Sequence, residues 1–132
     1  MIRQQKFIHT SSTCIICGKT INGKNKTLEH IFPKVTMDYC LNNQRYVHMR
    51  NFINSIHNKG ISCTRCNSKK GAYILSIEDI KSLHIPDSQK NILITNRKVY
   101  AKEFEAFQQT EYYNSKSWFL GNIQKTYPIK DA

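Results

Sequence analysis

The stretch Cys63-Thr64-Arg65-Cys66-Asn67-Ser68-Lys69-Lys70-Gly71 decides the reading of this 132-residue chain. Its C-x-x-C pair has a counterpart upstream, Cys14-Ile15-Ile16-Cys17. Two such knuckles are the usual way to build a four-thiolate tetrahedral zinc site. Each tight turn presents two sulfurs, and the ion joins two distant segments. Cys14, Cys17, Cys63 and Cys66 are therefore expected to hold one structural Zn²⁺. The alternative is disulfides or reduced bystander thiols. Met1 to Thr10 lacks the apolar stretch of an export signal, which argues against disulfides. Cys40 has no knuckle partner and is expected to be a free or buried thiol. The forty-five residues between the knuckles exceed the spacing of a compact zinc finger, so further structure is inserted there.

Working outward, Gly18-Lys19 and Asn22-Gly23 read as turns. Thr27 to Phe32 reads as a strand ended by Pro33. Residues 34–57 are ambiguous, although Phe52, Ile53 and Ile56 fit a helical stripe. Asn58-Lys59-Gly60 reads as a turn leading through Ile61 into the second knuckle. A helix is predicted from Cys63 to about Leu75, with Ala72, Ile74 and Leu75 as packing residues. Ser76 is the predicted N-cap of a second helix, with Glu78 and Asp79 in its first turn and His84-Ile85-Pro86 at its end. Asn91 to Thr95 suits strand or helix equally. Lys98 to about Tyr113 reads as helix through Val99, Phe104 and Phe107, and Trp118 to Leu120 is expected to pack back on the core.

The charge is uneven. The chain carries 20 Lys plus Arg against 9 Asp plus Glu, a formal net of +11. Residues 1–74 hold twelve of the bases and only two acids, Glu29 and Asp38. Residues 75–132 hold eight bases and seven acids, close to neutrality. A surface serving solubility alone mixes signs throughout. A field concentrated in one half points to a polyanionic partner, most often nucleic acid. No apolar run reaches the eighteen or so residues of a membrane span, so a soluble, intracellular protein without a membrane partner is expected. Eight Gly plus Pro exclude collagen-like classes, and 39% apolar residues suffice for a core. The small basic half needs a staple, because it has few large side chains to bury.

Between the knuckles stands Leu28-Glu29-His30-Ile31-Phe32-Pro33, and Asn58 lies five residues before Cys63. The order C-x-x-C, acid-His, Asn, C-x-x-C-N-x-x-K-G resembles the HNH endonucleases, which belong to the ββα-metal or His-Me finger nucleases. More narrowly, it is similar to their zinc-stapled branch, which includes phage recombination endonucleases and McrA-like restriction enzymes. The resemblance covers residues 14–74. It implies an α+β fold: a small ββα-metal nuclease core over residues 1–74, stapled by the four-cysteine zinc site, and a mostly helical C-terminal extension over residues 75–132 that packs on the core.

The chemistry can also be read from the residues. Phosphodiester hydrolysis needs an activated water, stabilisation of the phosphorane charge and help for the departing 3′ oxygen. His30 is the natural base, since an ordinary pKa near 6.5 leaves it mostly neutral at pH 7. Glu29 offers a hard oxygen ligand suited to Mg²⁺ or Mn²⁺. Adjacent strand residues face opposite sides, so both can serve only where the strand ends or bends. Asn67 lies four residues beyond Cys63, on the same helix face. The resemblance implies that Glu29 and Asn67 hold the catalytic metal, that His30 is the general base, and that Asn58 props the loop and orients the base. It also implies 5′-phosphate and 3′-hydroxyl products. The sequence departs from the most familiar family pattern at Asn67, where many members have a third His, and the twenty-eight-residue step from His30 to Asn58 is long for the family.

Lys34, Arg65, Lys69 and Lys70 flank the proposed site and are expected to contact DNA phosphates, supplying affinity without sequence information. His48 and His57 are rivals for a place in the site, against the plainer reading as surface or packing residues. His9 and His84 have no motif context. Glu78, Asp79, Glu103 and Glu105 read as solvated helix faces. Tyr112, Tyr113, Trp118 and Phe119 read as core rather than as a stacking platform for bases. One active site per chain implies a nick, or a double-strand cut by a homodimer. The competing class is a non-catalytic zinc-dependent DNA-binding or regulatory protein, which explains zinc and charge but not Glu29-His30 together with Asn67. Small nucleases of this kind are frequent in phages, which suggests action in a host cytoplasm.

Overall fold

The first knuckle is a turn between two short strands. In the computed structural model, which describes residues 12–111 and 113, β1 (Ser12–Thr13) pairs antiparallel with β2 (Thr20–Ile21). Gly18, at φ +81°, closes the turn by donating its N–H to the Cys14 carbonyl at 3.0 Å. A second antiparallel pair follows: β3 (Lys26–His30) lies against β4 (Lys59–Cys63), with Lys26 opposite Cys63 and His30 opposite Lys59. Knuckle and hairpin are locked together. The Ile15 N–H donates to the Ile61 carbonyl at 3.0 Å, and Ile15 lies so close to Gly60 that a Cβ there would meet its Cδ1 at 2.6 Å.

Five α-helices complete the described chain: α1 (Asn43–Ile53), α2 (Thr64–Lys70), α3 (Ile77–Lys81), α4 (Asp87–Val99) and α5 (Ala101–Gln108). Short 3₁₀ segments at Lys34–Tyr39 and Ile56–Asn58 lead into α1 and β4. Helices and small antiparallel sheets are thus mixed around one core, as an α+β chain requires. Ile16, Ile31, Phe32, Met49, Ile53, Ile74, Leu75, Ile80, Leu93 and Phe104 are all essentially buried in it. The core runs across residue 74 without a break: Phe32 stacks on Phe104 at 4.8 Å between ring centroids.

Several sequence-based expectations change. Asn58 ends a 3₁₀ turn, but Lys59 and Gly60 are strand, because pairing with Glu29 and His30 outweighs the Asn-Lys-Gly turn signal. Ile56 is 58% exposed and leaves the stripe formed by Met49, Phe52 and Ile53. The helix after the second knuckle stops at Lys70. Gly71 takes φ +51° and donates its N–H to the Asn67 carbonyl, a conformation open to glycine at little cost. Ile74 and Leu75 are buried outside any helix, and Ala72 is exposed. Ser76 does cap α3, in a capping box with Asp79. Asn91 to Thr95 falls inside α4, and the long helix read from Lys98 is interrupted at Tyr100, between α4 and α5.

Two acids expected in solvent are buried. Asp79 serves the capping box and accepts from the Tyr73 hydroxyl at 3.0 Å. Glu103 accepts two hydrogen bonds from the Arg45 guanidinium of α1, at 2.5 and 2.8 Å. Tyr113 packs edge-on against Phe107. His9, Tyr112, Trp118, Phe119 and Leu120 lie outside the described residues. Among the described residues no helix is long and apolar enough to cross a membrane.

Candidate metal centre and the adjoining histidine site

The hairpin turn of the first knuckle and the β4–α2 junction bring Cys14, Cys17, Cys63 and Cys66 together, with all four sulfurs within 4.8 Å of one another. A tetrahedron with metal–sulfur bonds near 2.3 Å has sulfur–sulfur edges of about 3.8 Å, so these donors fit a thiolate-bound zinc. The four thiols are not alike: hydrogen bonding favours the thiolate at Cys14, while burial pushes the Cys17 thiol up to about 11 and the hydrogen bond to Cys14 pushes the Cys66 thiol up. The Cys14 sulfur accepts the N–H groups of Cys17 at 3.5 Å and Cys63 at 3.3 Å, and the Cys63 sulfur accepts that of Cys66 at 3.5 Å. The hydrogen bond from the Cys66 thiol, helped by the Cys17 and Cys63 N–H groups, holds the Cys14 thiol well below its ordinary pKa against the opposing effect of burial. Four cysteines positioned to bind a metal ion, compatible with structural zinc, leave no donor position for substrate, as a closed structural site requires. Cys40 stays outside this cluster and approaches the Met49 sulfur at 3.4 Å.

β3 ends at His30, and the strand alternation sorts its last residues. Leu28 is 48% exposed, Glu29 turns inward, and His30 is half-buried. Burial pushes the His30 imidazole below its usual pKa, and the nearby ammonium groups of Lys34, Lys59 and Lys70 push it the same way. The neutral, proton-accepting form is therefore the favoured one.

Glu29 is only 5% exposed. Its Oε2 lies 3.6 Å from the Lys70 ammonium, which also donates to the His30 carbonyl at 3.4 Å. Burial raises the Glu29 carboxyl and lowers the Lys70 ammonium, each offset in part by the other. The buried Ser62 hydroxyl lies beside the Glu29 carboxyl and favours its charged form, as the Lys70 ammonium does. The carboxylate is a hard oxygen donor, the chemistry an Mg²⁺ or Mn²⁺ ligand needs, but it is buried and already paired with the Lys70 ammonium.

Asn58 is fully buried and spans three backbone groups. Its Oδ1 accepts from the Phe32 N–H at 2.8 Å, and its Nδ2 donates to the carbonyls of Phe32 at 3.0 Å and Ile53 at 2.9 Å. Its own carbonyl accepts from the Ile31 N–H at 2.7 Å. The long insertion between His30 and Asn58 is thereby closed onto the segment just after His30. Asn67 is half-buried on α2, one turn beyond Cys63.

The flanking cations divide. Lys34, Arg65 and Lys69 are exposed. Lys70, expected at the surface as a phosphate contact, is instead 4% exposed and turned into the Glu29 pair. The reason is geometric: it sits one turn after Cys66, whose face of α2 is the buried one. His48 and His57 are exposed, on α1 and in the turn before β4. Lys59, directly across from His30, escapes sequence reasoning because its segment reads as a turn. The β3–β4 pairing is the signal that finds it. The Arg45–Glu103 pair escapes it too, because it joins residues far apart in the chain. No family model matches this chain, and no curated protein or solved structure matches it either.

Proposed function

We propose that this chain is a metal-dependent DNA endonuclease in which His30 activates water. The observation that carries the reading is the Asn58 clamp at the end of the β3–β4 pair. It fixes the backbone just after His30, while the next helix, anchored at Cys63 and Cys66, carries Asn67. Held in this way, a half-buried imidazole with a depressed pKa suits proton abstraction. In the proposed reaction His30 takes a proton from the attacking water. The water oxygen bonds to phosphorus, the bond to the 3′ oxygen breaks, and solvent protonates that oxygen. The ends would be 5′-phosphate and 3′-hydroxyl. Glu29 and Asn67 would hold Mg²⁺ or Mn²⁺, which when bound supplies Lewis-acid charge at the phosphate and the leaving oxygen. Lys34, Arg65 and Lys69 would draw the DNA backbone, and one zinc on the four cysteines would hold the scaffold.

A specific observation favours a second reading, a zinc-dependent DNA-binding protein that cuts nothing. Lys70 already neutralises one face of Glu29, in a pair buried on both sides. Incubation with supercoiled plasmid and with branched DNA, in Mg²⁺ or Mn²⁺, separates the two. The nuclease reading expects nicked or linear product with ligatable 5′-phosphate ends. Tight DNA binding with no product under any of these conditions supports the second reading instead.

A further inference from the structure

Neither the cysteine cluster nor the proposed cleavage chemistry uses α1, the long helix inserted between His30 and Asn58. The helix buries Met49, Phe52 and Ile53. Opposite them, Gln44, Val47, His48, Arg50, Asn51 and Asn54 are all exposed. A solvated helix face ordinarily mixes acids and bases, whose i,i+4 pairs support it. α1 has no Asp or Glu, and much of its outer face is carboxamide, although asparagine is a poor helix former. Asn and Gln side chains carry a donor and an acceptor side by side, the pattern that adenine presents in the major groove. Arg50 adds a cation, its guanidinium 5.9 Å over the Tyr46 ring.

The helix is also fixed relative to the histidine. Near its start Arg45 donates to Glu103 of α5. At its end the Ile53 carbonyl accepts from Asn58, whose same amide holds Phe32, two residues beyond His30. A rigid, acid-free, amide-rich face tied to the cleavage residue is positioned to set where along a duplex that residue falls.

We propose that α1 is the base-reading element for duplex DNA, entering the major groove with Gln44 and Asn51 on base edges and Arg50 on a flanking phosphate. This rests on the DNA reading given under Proposed function. Gln44 and Asn51 are two turns apart, about 10 Å along the helix, which matches roughly three base-pair steps.

The test is selection of duplexes with a randomised core by the full-length, zinc-loaded protein without added Mg²⁺. Wild type enriches particular base pairs at two positions roughly three apart. A Gln44→Ala, Asn51→Ala double variant, altered only at exposed positions, loses that enrichment. Its affinity for the selected sequence falls about tenfold or more, while binding to unselected duplex stays within about twofold. Binding by wild type without any base preference overturns the proposal, and so does an unchanged preference in the double variant. No binding of wild type to any duplex overturns the DNA reading itself, and this inference with it.

Discussion

Asn58 places one carboxamide against three backbone groups in a fully buried setting, and each would be stranded if that amide were removed. Asn58→Ala should therefore lower stability by about 3 kcal/mol, the scale of a lost buried polar network. Urea unfolding measures it, and a loss below about 1 kcal/mol would contradict the role. The residue is legible by its position before the second knuckle, but its partners are not. Phe32 and Ile53 become neighbours only once the insertion folds back. Lys70 teaches the opposite point. The i,i+4 step from Cys66 that places it near the knuckle also aims it inward, since Cys66 itself is buried. The information is present in the sequence, and the basic composition around it favours the surface reading.

At the scale of elements, α1 and α5 are tied by Arg45 and Glu103. The guanidinium holds the Glu103 carboxyl below its ordinary 4.5, and the Glu103 side chain has no exposure. A carboxylate whose folded pKa is depressed adds stability that is fully present above the unfolded value. That stability is lost as pH falls through the lower folded value. The chain should accordingly destabilise on acidification below pH 4.5. In Glu103→Gln that window should be flatter, and stability at pH 7 should be lower by about 2 kcal/mol. Melting curves across roughly pH 3 to 7 decide it, with superimposable profiles as the contrary result. Element types are otherwise legible where local chemistry dominates, as at the Ser76 capping box. They are illegible in Asn91 to Thr95, where three consecutive apolar residues carry no period. The surrounding thirteen-residue helix α4 decides the matter there.

For the whole molecule, the cysteine cluster joins two segments forty-nine residues apart at Cys14 and Cys63. Zinc on these four thiolates would contribute on the order of 10 kcal/mol to folding. Metal analysis should find one zinc per chain, lost in Cys63→Ser or Cys66→Ser, and chelation should abolish the cooperative melt. A metal-free chain that melts cooperatively would remove the staple from the account. The mixed α and β architecture and the cluster are readable from two spaced knuckles and the strand signal near Glu29. The single core is not, because Phe32 on Phe104 is a contact between distant parts of the chain.

The central claim, that His30 drives phosphodiester cleavage, meets its most direct test in one comparison. Wild type and His30→Ala, matched for zinc content and melting temperature, are assayed for initial rate on the same plasmid with Mg²⁺ or Mn²⁺. Loss of a general base predicts a rate lower by about 10²-fold or more. Equal rates in the two proteins, or no cleavage by wild type, would contradict the claim.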